Sequence, residues 1–98
     1  MTDQVRVVDN PAGSRYEVYV DGELLAGFAQ YEREGDRVLF FHTEVDPAFE
    51  GRGLGSRLAA GALDDVRERG LRVQSRCPFI SRYLGQHHQY DDLRDDPR

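Results

Sequence analysis

The chain has 98 residues, with 13 basic and 18 acidic side chains and a formal net charge of −5. This length suits one domain with one modest core, and the acidic balance argues against a nucleic-acid binder, which would carry a basic stripe. The sequence contains no apolar run of membrane-spanning length, no apolar signal core and a single cysteine, so no internal disulfide is possible. We therefore expect one cytoplasmic domain over residues 1–98 with neither a membrane nor a nucleic-acid partner.

The first third of the chain predicts antiparallel strands. A short apolar run covers Val5–Val8, and alternating patterns follow over Tyr16–Val20 and Leu24–Tyr31. The Asp21-Gly22 pair between the last two patterns is a hairpin signal, because a type I′ turn needs a positive φ at both positions.

The next pattern, Val38–Val45, is apolar on both sides, which predicts a central strand covered on both faces. Strict alternation divides its side chains between the two faces. Phe40, His42 and Glu44 then share one face, and Phe41, Thr43 and Val45 share the other.

A helix is predicted over Leu54–Arg69, with its apolar stripe at i, i+4 spacing and a glycine, Gly61, that indicates close packing on the sheet. A strand over Leu71–Ser75 should run parallel to the fourth strand, because the connection is a crossover. Pro78 then opens a second helix, and the acidic tail, residues 91–98, is expected to fray. The fold class is α+β: four antiparallel strands, a crossover helix, a parallel fifth strand and a C-terminal helix.

The loop before the first helix is rich in glycine and reads Glu50-Gly51-Arg52-Gly53-Leu54-Gly55-Ser56. Free backbone N–H groups at a helix start bind phosphate oxygens, and glycines let a ligand approach closely. The dinucleotide fingerprint lacks its third glycine here, and a P-loop needs a lysine that the chain does not have. A phosphate loop and a plain turn both remain open at this point.

This loop resembles the acetyl-CoA loop of the GNAT N-acetyltransferase superfamily, Gln/Arg-x-x-Gly-x-Gly/Ala, with Gly53 and Gly55 in place and Glu50 replacing the usual Gln or Arg. Together with His42-Thr43-Glu44-Val45, Cys77-Pro78-Phe79 and Tyr83, it is similar to a small single-domain branch of about 100 residues. The resemblance extends from about Tyr16 to Tyr90.

The resemblance implies a fifth strand splayed from the fourth, with acetyl-CoA as co-substrate and an amine as acceptor. The implied cofactor contacts are Thr43, Glu44 and Val45 on the strand and Glu50, Gly51, Arg52, Gly53, Leu54, Gly55 and Ser56 in the loop. The superfamily usually has two helices between its first two strands, where this chain has only residues 10–14. We therefore expect an open, shallow acceptor groove.

Four side chains are candidate catalytic groups. Cys77 precedes Pro78 and is the predicted N-cap of the second helix, where the positive helix end would raise its thiolate fraction. It would either accept the acetyl group or protonate the leaving thiolate, a role that Tyr83 shares if it is not simply part of the core. Glu44 is the first candidate for the base that deprotonates the amine, and His42 is the second.

Two other functions remain open from the sequence. One is a module or sensor that binds CoA or acyl-CoA without turnover, and the weaker one is an interaction domain whose glycine loop is merely a turn. The spacing of Cys77, His87 and His88 fits no standard zinc pattern, so no metal is expected. The chain is expected to be a monomer or a homodimer.

Overall fold

The protein is described by a computed structural model that covers residues 4–95. Five strands form one sheet in the order in which they occur in the sequence. They are β1 (Val5–Asn10), β2 (Arg15–Val20), β3 (Leu24–Glu34), β4 (Arg37–Val45) and β5 (Arg72–Ser75). The first four are antiparallel and β5 is parallel to β4, which confirms the predicted α+β architecture.

Local turn chemistry connects the first strands as predicted. Asp21 and Gly22 both have positive φ, 53° and 92°, as the hairpin between β2 and β3 requires. Between β1 and β2, where the superfamily usually has two helices, the chain forms only a short 3-10 turn over Pro11–Gly13. One face of the sheet therefore carries no helix within residues 4–95, and we call it the open face.

A β-bulge in β4 corrects the predicted faces of that strand. Gln30 of β3 pairs with His42 and Tyr31 pairs with Phe40, so Phe41 is an extra residue without a partner on β3. The bulge shifts the alternation by one residue, and Phe40 lies in the core while His42 is exposed. Phe40 therefore does not share a face with His42 and Glu44, as strict alternation had predicted.

The prediction that β4 is covered on both faces holds only for its first half, where Leu39, between core residues Val38 and Phe40, is 6% exposed. Beyond the bulge the cover is lost, and Phe41 keeps 42% of its surface exposed. Thr43 and Val45 lie on the same side as Phe40: Val45 packs against the core, and Thr43 contacts buried Cys77. The second half of β4 thus directs Thr43 inward and His42 and Glu44 outward.

Helix α1 (Leu54–Glu68) packs across the opposite face of the sheet and forms the core. Its buried stripe matches the predicted one: Leu54, Leu58, Ala59, Ala62, Leu63 and Val66. At Gly61 an added Cβ would lie 2.6 Å from Cβ of Val7, which confirms the predicted close approach to the sheet. Asp65 and Arg69, one turn apart near the end of the helix, form an ion pair with 3.0 Å between Oδ2 and Nε.

Helix α2 (Pro78–Gln86) follows β5, and a 3-10 helix (His88–Leu93) follows α2. The chain does not fray from Asp91 as expected. Leu93 is buried, and the backbone N–H of Asp95 donates to the carbonyl oxygen of Val73 at 2.8 Å. Residues 91–95 are thus held by contacts distant in sequence, whereas residues 96–98 of the predicted tail lie outside the described range. Within the described range, no helix has the length and hydropathy needed to cross a membrane.

Candidate functional site

The strands β4 and β5 separate partway along their length. Four residue pairs join them, from Arg37 with Arg72 to Phe40 with Ser75, and the N–H of Arg76 adds a last bond to the carbonyl of Phe40. Beyond this point β4 continues through residues 41–45 without a partner on β5. The separation, which we call the wedge, begins at the β-bulge and leaves backbone groups of β4 available on that side.

The N-terminus of α1 has first-turn amides that no side chain of residues 4–95 caps. Gly53 is the N-cap with a φ of 71°. The first amide bonded back to the loop is that of Arg57, which donates to the carbonyl of Gly53. The N–H groups of Leu54, Gly55 and Ser56 therefore lie in the first turn, whose amides have no intrahelical acceptor.

The glycines of this loop have different roles. A Cβ added at Gly51 or Gly53 would meet nothing within 4 Å, so the space beside them is open to a ligand. A Cβ added at Gly55 would instead lie 2.9 Å from the ring of Phe79. Gly55 is thus required for packing between the first turns of α1 and α2. Arg52 lies over the ring of Phe49, 5.5 Å from its centroid, and Glu50 is exposed.

Cys77 is the N-cap of α2, as predicted, and is only 2% exposed. Its Sγ lies 3.2 Å from Oγ1 of Thr43 across the narrow end of the wedge. Its backbone is fixed by Ser75, whose hydroxyl donates to the carbonyl of Cys77 and accepts from its N–H. The thiol is therefore a positioned, buried group at the junction of β4, β5 and α2.

His42 and Glu44 form a pair on the open face. Nε2 of His42 lies 3.3 Å from Oε2 of Glu44, and both side chains are about half exposed or more. Phe28 of β3 lies opposite Glu44 and contacts the His42 ring at a centroid distance of 6.3 Å. The two candidate bases are thus side by side, on the opposite side of β4 from Cys77.

Tyr83 lies in the core against His87, with the rings stacked 3.7 Å apart and 12° from parallel. Burial raises the pKa of its phenol, and the negative charge of Asp64 raises that pKa further. The phenol is therefore protonated at neutral pH. Asp64 lies near the C-terminal end of α1, far from the first turn of that helix. The contacts of Tyr83 are therefore packing contacts within the core.

The histidines near the C-terminus have local partners. Nδ1 of His87 lies 2.8 Å from the carbonyl oxygen of Tyr83, and Nδ1 of His88 lies 3.2 Å from Oδ2 of Asp91. Within residues 4–95 no three His, Cys, Asp or Glu side chains are grouped as metal ligands would be.

The structure contains a groove whose lining the sequence did not identify, although an open, shallow acceptor groove was expected. It occupies about 260 Å³ on the open face, between the start of β3 and the end of β4. Its lining is Leu25, Ala26, Gly27, Phe28, Glu44, Val45, Asp46 and Pro47. Glu44 and Val45 carried a functional signal in the sequence, whereas the other lining positions come together only through the pairing of β3 with β4.

Comparison with known proteins agrees with this geometry. The GCN5-related N-acetyltransferase family profile matches residues 15–93 of the chain. The chain belongs to this family. NATD1 from mouse is 33% identical over 81 residues, which cover 82% of this chain and 74% of the mouse protein. A mycothiol acetyltransferase from Thermobispora bispora is 45% identical over 58 residues, 55% of this chain and 18% of that enzyme.

Two solved structures share the fold of this GCN5-related protein. A GCN5-like protein from Staphylococcus aureus has a TM-score of 0.70 at 18% identity, covering 95% of this chain and 90% of its own. The ribosomal-protein-S18-alanine N-acetyltransferase from Escherichia coli has a TM-score of 0.59 at 17% identity, covering 76% and 66%. The family places the chain among enzymes that transfer an acetyl group to an amine, and it gives no support to a module without turnover.

Proposed function

We propose that this N-acetyltransferase uses acetyl-CoA as donor and binds it along the wedge. The observation that carries the proposal is that three separate motifs meet there. Thr43 of β4 contacts Cys77 at the start of α2, and Phe79, two residues further on, packs against Gly55 in the first turn of α1. The amides that suit a diphosphate and the gap that suits its thioester arm are therefore neighbours.

The residues present fit such a donor. The first-turn amides of Leu54, Gly55 and Ser56 would hold the diphosphate, with open space beside Gly53. The backbone of Thr43, Glu44 and Val45 would hold the arm, because this stretch of β4 has no partner on β5. Glu50, Gly51 and Arg52 would line the outer part of the diphosphate site.

Acetyl-CoA supplies a thioester whose carbonyl carbon is open to attack by an amine. The chain has to remove a proton from an ammonium first, and Glu44 paired with His42 is the proposed base on the open face. The leaving thiolate is left near Cys77, whose thiol is the proposed proton donor. The phenol of Tyr83, the other candidate, is under the influence of Asp64 of α1 and would have to reach the thiolate from there. Direct transfer is proposed, because Cys77 is 2% exposed and already contacts Thr43.

The finer partner assignments stay predictions. We propose a cytoplasmic protein that acts as a monomer or homodimer on an amine, without nucleic-acid or membrane partners. The lone thiol and the acidic charge balance support this proposal.

The experiment compares two charge-introducing variants. Gly53→Asp places a carboxylate beside the first-turn amides, and Asp is among the residues that best tolerate a positive φ. We expect this variant to bind acetyl-CoA at least about tenfold more weakly by calorimetry, because one repelled charge at a phosphate site is of the order of 1.4 kcal/mol. Amine-dependent release of CoA should fall with it.

Gly35→Asp is the matched control. Gly35 also has a positive φ, 60°, with open space around it, but it lies in the β3–β4 turn away from the wedge. This variant should bind acetyl-CoA as the unmodified protein does. Equal binding by both variants, or no binding by the unmodified protein at millimolar acetyl-CoA, would reject the proposed site.

A further inference from the structure

The open-face groove combines apolar walls with two carboxylates. Leu25, Phe28 and Pro47 supply apolar surface, whereas Glu44 and Asp46 supply negative charge, and no basic residue is among those that line it. Drug-sized ligands occupy pockets of roughly 300–1,000 Å³, so a groove of about 260 Å³ suits a smaller molecule. Its chemistry is that of a site for a small aliphatic cation.

The groove extends from the proposed base. Glu44 lies opposite Phe28 in the β3–β4 pairing, and His42 lies opposite Gln30, nearer the start of the wedge. A nitrogen deprotonated at Glu44 and His42 thus lies at the wedge end of the groove, with the rest of the acceptor directed toward Asp46 and Pro47.

Both carboxylates keep capacity for a ligand. Oε2 of Glu44 is shared with His42, and Oδ1 of Asp46 accepts the N–H of Ala48 at 2.9 Å. Each carboxylate has a second oxygen, and each oxygen accepts more than one hydrogen bond. Residues two apart on an extended backbone are separated by about 7 Å, which is comparable with the distance between the nitrogens of a short aliphatic diamine.

We propose that the acceptor is a short aliphatic α,ω-diamine, with the reacting nitrogen at Glu44 and the second ammonium at Asp46. This inference rests on the proposed function. The methylene chain between the nitrogens lies along Phe28 and Leu25. The neutral nitrogen forms a C–N bond to the acetyl carbon as the C–S bond breaks. The Glu44–His42 pair, having passed the first ammonium proton to water, takes the nitrogen's remaining extra proton. The thiolate becomes CoA thiol by taking a proton from the enzyme, which water then restores.

The test compares acceptors that differ only at their far end. CoA release is measured with 1,4-diaminobutane, butylamine and 4-aminobutanoate, together with a short peptide containing lysine. The diamine should have a kcat/KM at least about tenfold above that of butylamine, since a hydrogen bond between charged groups is worth that factor or more. The amino acid should be the poorest of the three small acceptors, because its carboxylate meets Asp46.

The Asp46→Asn variant tests whether Asp46 causes the preference for the diamine over butylamine. Asparagine still accepts the N–H of Ala48 as a cap but carries no charge. The kcat/KM for the diamine divided by that for butylamine should therefore fall to a value between about 1 and 3. Asp21→Asn removes the same charge from the exposed β2–β3 turn, where asparagine tolerates the positive φ, and should keep the original ratio.

The contrary outcomes distinguish failure of the diamine site from failure of the proposed function. Equal kcat/KM for diamine and butylamine, an unchanged ratio in Asp46→Asn, or a preferred peptide would overturn the diamine site while leaving the acetyltransferase in place. Absence of CoA release with every amine would overturn the proposed function and the diamine site with it.

Discussion

Cys77 is the residue whose environment constrains the mechanism most. It is 2% exposed, its Sγ contacts Oγ1 of Thr43 at 3.2 Å, and its backbone is held by the hydroxyl of Ser75. A covalent intermediate would need the thiol to move away from Thr43 and reach the thioester. Direct transfer needs only a proton to pass from this position, which is why we favour it.

The direct route predicts that Cys77→Ala retains measurable acetyl transfer. Loss of a proton donor lowers kcat by up to about 10²–10⁴, and by less if Tyr83 serves in its place. No acetylated Cys77 should accumulate when the unmodified protein meets acetyl-CoA without an amine, as judged by mass spectrometry of the intact chain. Acetylation at Cys77 together with complete inactivity of Cys77→Ala would establish the covalent route instead.

At the scale of elements, the position of α1 on the sheet depends on one close contact. Gly61 lets the helix approach β1 so closely that an added Cβ would lie 2.6–2.9 Å from three side-chain atoms of Val7. This approach fixes the direction in which α1 crosses the sheet, and therefore where its first turn meets Phe79 and the wedge.

Gly61→Ala should lower the free energy of unfolding by about 1–2 kcal/mol in urea denaturation. The clash with Val7 costs roughly 1–3 kcal/mol, and the better helix propensity of alanine, worth up to about 1 kcal/mol, offsets only part of it.

Gly85→Ala is the control for this prediction. An added Cβ there meets nothing within 4 Å, so this variant should be about as stable as the unmodified protein or up to about 1 kcal/mol more stable. Val7→Ala keeps the Cβ that would lie 2.6 Å away, so in the double variant it should relieve only part of the clash that Gly61→Ala creates. Equal effects of the two glycine replacements would contradict the close-contact account.

Across the whole molecule, locally determined features were predictable from the sequence. The positive φ values at Asp21 and Gly22 and the span of α1 follow from turn chemistry and apolar periodicity, which act within a few residues. The bulge at Phe41 was not predictable, because adjacent apolar residues such as Phe40 and Phe41 also occur in a regular strand that is buried on both faces. Only the pairing of β4 with β3 shows that Phe41 is an extra residue.

The C-terminal segment and the groove show the same limit. Tyr90 donates to Oδ1 of Asp64 at 2.7 Å and Asp95 bonds to Val73, and such contacts between distant positions have no local signal. The residues of the proposed donor site could be named from the sequence because its motifs are short and contiguous. An open acceptor groove was expected, but its lining was not identified, because β3 and β4 each contribute only part of it.

The central claim is that the free amides at the start of α1 and the unpaired part of β4 together hold acetyl-CoA. Titration of the isotope-labelled protein with acetyl-CoA, followed through its amide NMR resonances, tests this claim most directly. We expect the largest shifts at Leu54, Gly55 and Ser56 and along residues 43–45. Shifts confined to other parts of the chain, or none at millimolar acetyl-CoA, would contradict it.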